Sequence, residues 1–170
     1  PGAAPHQPPV LPAYFAGMDE HRQVRMWDRC DFGTERAGLI QQTWIPLFTP
    51  PPPPPHLSPE EFGEMMKKNT GDYLERIRVA VQKVQNRGGK VIFVRPPSTG
   101  RVRELEKQFS PREQTWDLML QVTGAPGIHF EDHPSLSKFD CPEWSHLTAA
   151  DAVEYTEELM PLLALALDGD

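Results

Sequence analysis

Apolar residues along this chain fall into several short patterns that predict distinct elements. From Asp72 to Asn86, Leu74, Ile77, Val81 and Val84 recur at alternating three- and four-residue spacings, the stripe of an amphipathic helix. Gly88 and Gly89 end it. Upstream, Ser58, Pro59 and Glu61 spell a helix start, with an N-cap, a proline at the first position and a capping box. Gly63 and the Asn69-Thr70-Gly71 cluster weaken the middle of that region. Lys90-Val91-Ile92-Phe93-Val94-Arg95 is apolar on both faces and β-branched, the pattern of an interior parallel strand covered by helices on both sides. Pro96 and Pro97 stop it.

Further elements follow from the same reasoning. Met18 to Asp31 reads as a helix with Val24 and Trp27 or Met26 inward. Thr34 to Trp44 reads as another, capped by Thr34 and ended by Pro46, with Leu39, Ile40 and Trp44 on its apolar side. Helices are expected over Val102 to Phe109 and Arg112 to Val122, and a short strand over Gly127 to Asp132. Thr148 caps a last helix from Ala149 to about Leu165, with Asp151 favouring its dipole and Pro161 inside it. Helices alternating with apolar strands predict an α/β fold with a parallel sheet and right-handed crossovers. In such sheets ligands sit beyond the carboxyl ends of the strands, which brings the segments after Arg95 and Asp132 to one edge.

Composition narrows the picture. The chain has 170 residues, 38% of them hydrophobic, and 20 prolines. The prolines gather at the amino terminus and from Pro50 to Pro55. Residues 1–9 read as a proline-rich lead or linker, and 10–167 as a single domain. Residues 50–55 form an extended or polyproline II loop within it, which could also meet a proline-recognising groove. The lead has neither a basic patch nor an apolar core, so it is not a signal peptide, and the natural protein is expected to begin further upstream. Net charge is −7 with no basic stripe, which argues against nucleic-acid partners and anionic membrane surfaces. No apolar run reaches the roughly 20 residues of a membrane-spanning segment. Cys30 and Cys141 fit two buried thiols or one disulfide, and identify no compartment.

Candidate chemistry concentrates between the last strand and the last helix, in His129, Glu131, Asp132, His133, Asp140, Cys141, Glu143 and His146. Glu143 stands three residues before His146 on a loop entering a helix. A carboxylate so placed can take one imidazole N–H and leave the other nitrogen as a base. The alternative is a helix-capping loop whose histidine satisfies a backbone carbonyl. Ser98, after the first strand, lacks a Gly-x-Ser-x-Gly elbow and suits a turn or cap better than a nucleophile. Ser145 is too near His146 in sequence to face it easily. His129, His133, Asp132, Asp140, Cys141 and His146 are metal-ligand types, but a strand at His129 throws it apart from His133. No metal and no cofactor is expected.

Pro142-Glu143-Trp144-Ser145-His146-Leu147-Thr148-Ala149-Ala150-Asp151-Ala152 resembles the last block of SGNH/GDSL hydrolases, where Asp-x-x-His-Leu precedes a helix of small and acidic residues. The helix over 72–86, the Gly-Gly break, the apolar strand and Pro96-Pro97 resemble that family's penultimate strand unit. The similarity covers roughly Ser58 to Leu163. It implies a three-layer α/β/α fold of flavodoxin-like, SGNH type, incomplete at its amino-terminal side. It also implies an ester hydrolase or O-acetyl transferase acting on an ester or acetylated small molecule or saccharide. His146 would be the base and Glu143, in place of the usual aspartate, its orienting acid. The family's Gly-Asp-Ser nucleophile block does not occur here, nor an identifiable oxyanion glycine. Its asparagine block has only an echo in Gly17-Met18-Asp19-Glu20. A complementing segment or chain carrying the serine is therefore implied. The rival reading is a catalytically silent module of this type that binds a protein or saccharide partner, with Trp27, Trp44, Trp116 and Trp144 as stacking or core residues.

Overall fold

The computed structural model describes residues 16–18, 20–22 and 24–168. The proline-rich lead and Asp19 of the asparagine-block echo lie outside them.

The described residues open with a hairpin. Strands β1 (Ala16–Met18) and β2 (Val24–Met26) pair antiparallel, with Ala16 opposite Met26. The helix expected over 18–31 is thus corrected to two strands and a 3₁₀ turn at Asp28–Cys30. Val24, Met26 and Trp27 suit a two-residue and a three-residue repeat alike. Contact decides between them: Gly17 lies so close under the Trp27 indole that a Cβ there would meet Nε1 at 2.7 Å.

Helix α1 (Glu35–Phe48) starts where its cap predicts, with Thr34 Oγ1 accepting from Ala37 N at 3.1 Å. It runs past Pro46, which removes one backbone donor near the helix end without ending it. The prolines after Pro50 form no helix or strand and link α1 to α2. Helix α2 (Pro59–Gln85) has the full capping box: Ser58 Oγ accepts from Glu61 N, and Glu61 Oε2 accepts from Ser58 N at 2.8 Å. It is continuous through Asn69-Thr70-Gly71, 27 residues and so about 40 Å long. Leu74 and Val81 are its buried residues and Ile77 is half-buried, while Val84 is exposed.

Strand β3 (Phe93–Arg95) pairs in parallel with β4 (Gly127–His129), Phe93 opposite Gly127 and Arg95 opposite His129. Between them lie α3 (Gly100–Phe109) and α4 (Trp116–Thr123), the latter ending at Gly124 with φ +67°. A 3₁₀ turn (Phe130–Asp132), the short α5 (Pro134–Ser137) and the long α6 (Ala149–Asp168) complete the described residues.

This corrects the expected fold class. Helix makes up 61% of the described residues, and the sheets are two separate pairs, one antiparallel and one parallel. It is not a three-layer, flavodoxin-like α/β/α fold. The apolar Lys90–Arg95 stretch is not an interior strand of a wide sheet: only three of its residues form strand, all half-buried, beside one partner. A run apolar on both faces reports helical cover, and does not count hydrogen-bonded neighbours. The core forms where α6 covers the end of β4. Ile128, Phe130, Leu136, Phe139 and Tyr155 are buried together, and Ile92, Leu147, Leu159 and Leu163 pack against them. No helix among the described residues is long and apolar enough to cross a membrane.

Candidate functional site

The loop between α5 and α6 carries Glu143 and His146, and a tight turn shapes it. Pro142 and Glu143 are the central residues of that turn, closed by Trp144 N donating to Cys141 O at 3.0 Å. Proline at the first central position fixes the φ such a turn needs. Trp144 then takes φ +77°, a left-handed conformation that is uncommon and strained for a large side chain. The strain is held from outside the loop. Thr99 N donates to Trp144 O at 2.9 Å, and Thr99 Oγ1 accepts from Cys141 N at 3.2 Å. The Trp144 indole lies against Gly100, itself at φ +51°, where any Cβ would collide with the ring. Thus the β3–α3 junction clamps the loop that aims Glu143 and His146.

Glu143 is fully buried. Its Oε1 lies 3.0 Å from His146 Nδ1 and accepts from Ser145 N at 3.3 Å. Its Oε2 accepts from Ser145 Oγ at 2.7 Å and from Trp44 Nε1 of α1. Burial alone would push this carboxyl up, but the hydrogen bonds from His146, Trp44 and Ser145 outweigh it and hold the group below its ordinary value. Glu143 is therefore an ionised acceptor at neutral pH.

That ionisation fixes the protons around it. A carboxylate can only accept, so Nδ1 of His146 carries a hydrogen, and in the neutral ring Nε2 carries the lone pair. Contrary to what their nearness in sequence suggests, Ser145 does face the ring: its Oγ lies 2.8 Å from Nδ1. Because its own proton goes to Glu143, Ser145 receives part of the Nδ1–H bond and is not aimed at the basic nitrogen. The His146 side chain is 47% exposed, at the rim of two clefts. The first, about 720 Å³, is mainly apolar, with Met26, Pro96, Pro97, Leu147 and Val153 among its walls. The second, about 510 Å³, holds Arg95, Arg103, Arg112, Glu106 and His129.

The other candidate residues separate from this pair. Ser98 is buried beside Glu106, donating to its Oε2 at 2.6 Å and accepting from Arg95 Nη2 at 3.3 Å; it belongs to an ion-pair network. Cys30 and Cys141 are both free and buried. Burial, with Glu143 and Asp140 nearby, pushes the Cys141 thiol up to about 12, so it is not a nucleophile at neutral pH. Glu131 pairs with Arg103 and Lys107, and Asp132 with Arg112. Among the described residues no three His, Cys, Asp or Glu side chains gather as metal ligands.

Sequence reasoning missed Trp44 as a partner of the site, since 99 residues separate it from Glu143. It likewise had no signal for Gly100 beneath Trp144. No known protein family matches the chain, and no curated protein or solved structure is detectably similar to it.

Proposed function

We propose that this chain supplies the base of an ester hydrolase or O-acetyl transferase, with His146 as base and Glu143 as its orienting acid. The observation that carries the reading is a fully buried, ionised carboxylate 3.0 Å from Nδ1 of a half-exposed histidine at a cleft rim. Glu143 sets the tautomer and would stabilise the imidazolium as it forms. Nε2 takes the proton from an attacking hydroxyl as the new O–C bond forms, then returns it to the departing alkoxide. The reading rests on this site, since the fold gives it no support.

The serine of a two-step mechanism is proposed to come from a complementing segment or chain, because the sequence holds no Gly-Asp-Ser block. With an activated ester, water can take that role. The test is turnover of 4-nitrophenyl acetate. His146→Ala is expected to reduce the protein-catalysed rate by about 100-fold or more, and Glu143→Gln to reduce it with the fold retained. A rate indifferent to His146→Ala would overturn the assignment.

One observation favours a second reading, a catalytically silent binding module. Glu143 also receives Trp44 Nε1, and Gln41 Nε2 donates to Pro142 O at 2.8 Å, so the loop is clasped to α1. If clasping is the whole role, Trp44→Phe and Glu143→Gln destabilise the chain and no ester turnover depends on His146.

A further inference from the structure

The second cleft at His146 is rich in hydrogen-bond donors and poor in acceptors. Three guanidinium groups, from Arg95, Arg103 and Arg112, line it. The one carboxylate in its wall is Glu106, already engaged: Oε1 accepts from Arg95 at 2.6 Å, and Oε2 from Ser98 at 2.6 Å and Arg103 at 3.4 Å. The acids that balance Arg103 and Arg112, namely Glu131, Asp132 and Asp117, are not among the lining residues. These ion pairs are therefore oriented, positive ends toward the cleft and negative ends behind. The chain as a whole carries −7, so this is a local reversal of sign.

His129 supplies an independent observation. It is 2% exposed and lines the same cleft. Its Nδ1 accepts from Glu131 N at 3.2 Å, which places the ring hydrogen on Nε2. Its other contacts are aromatic, edge-on to Trp116 and stacked on Phe130, and among the described residues Nε2–H meets no hydrogen-bond acceptor. Burial and the nearby Arg112 lower its basicity and keep the ring neutral. An N–H on a residue only 2% exposed, left to the cleft that it lines and beside guanidiniums with donors to spare, suits an oxyanion.

We propose that this cleft is an oxyanion-binding subsite, in which His129 Nε2–H, Arg95 and Arg112 hold a carboxylate, sulfate or phosphate group. Given His146 as the base, on which this part rests, that group belongs to the substrate, which is an ester of an anionic alcohol or acidic saccharide. Arg95 and Arg112 present planar donor pairs that match such groups.

The experiment has a binding arm and a kinetic arm. Inorganic phosphate is titrated into the chain at constant ionic strength while the His129 ring resonances are followed by NMR. The expected result is a saturable shift, weakened about tenfold by Arg95→Gln. A non-saturating shift, or one identical in Arg95→Gln, overturns the subsite. Circular dichroism checks the fold, and Arg112→Gln replaces any variant that fails it. In the kinetic arm, 4-acetoxybenzoate is compared with its uncharged methyl ester. The anionic ester should show a KM lower by about tenfold with kcat unchanged. Equal KM values with saturable phosphate binding assign the cleft to a free anion and overturn the substrate half. Saturable binding without any ester turnover sinks the hydrolase reading and leaves the subsite standing.

Discussion

Trp44, on α1, donates its indole N–H to the carboxylate of Glu143, on the loop before α6. The same carboxylate meets the His146 imidazole, so a side chain 99 residues upstream helps to set the charge state of the candidate site. The indole ring also lies 6.3 Å from the His146 ring, centroid to centroid. The bond therefore has consequences for both stability and proton affinity.

Replacing Trp44 by Phe keeps an aromatic ring and removes the N–H. A buried carboxylate then loses one charge-assisted donor, a loss worth about 1–3 kcal/mol. Urea unfolding should show a lower midpoint with an unchanged slope. The Glu143 carboxyl should also titrate at higher pH in this variant. An unchanged midpoint would mean that the Trp44 bond contributes nothing net.

Glu143 also predicts a pH dependence. Burial raises its carboxyl but the three hydrogen-bonding partners lower it by more, so the folded value lies below the ordinary 4.5. A depressed folded value means that ionised Glu143 contributes stability in full above about 4.5, and loses it as pH falls through the folded value. Glu143→Gln lacks this contribution. The stability gap between the two proteins should be largest at neutral pH and narrow below 4.5. A gap that stays constant or widens on acidification would contradict the assignment of Glu143 as a buried anion.

Gly100 gives a test of positioning. Its φ of +51° and the indole of Trp144 both exclude a side chain. Gly100→Ala should push the Trp144 turn away from Thr99 and swing Glu143 and His146 with it. Ester turnover should fall by about 10- to 100-fold, the scale of an ångström's misplacement, while the protein stays folded. Full activity in Gly100→Ala would show that the clamp does not aim the pair.

Much of the local structure was determined by the sequence itself. Thr34, Ser58 with Pro59 and Glu61, Gly88 and Thr148 mark helix ends through bonds and backbone preferences within one turn, and such signals hold whatever surrounds them. The strand cores at Phe93–Arg95 and Gly127–His129 follow from short β-branched or apolar runs bounded by proline and glycine. The three-residue spacing of Glu143 and His146 keeps the pair close enough for the 3.0 Å contact. Tertiary structure alone decided the rest. The number of strands beside β3 depends on which distant segments pair with it, and apolar faces cannot report that. Ala16–Met18 and Val24–Met26 pair as strands because contacts such as Gly17 with Trp27 select between two repeats that the pattern allows. Trp44 on Glu143 is set by how α1 packs against the loop before α6, and no local pattern encodes a bond between residues that only packing brings together.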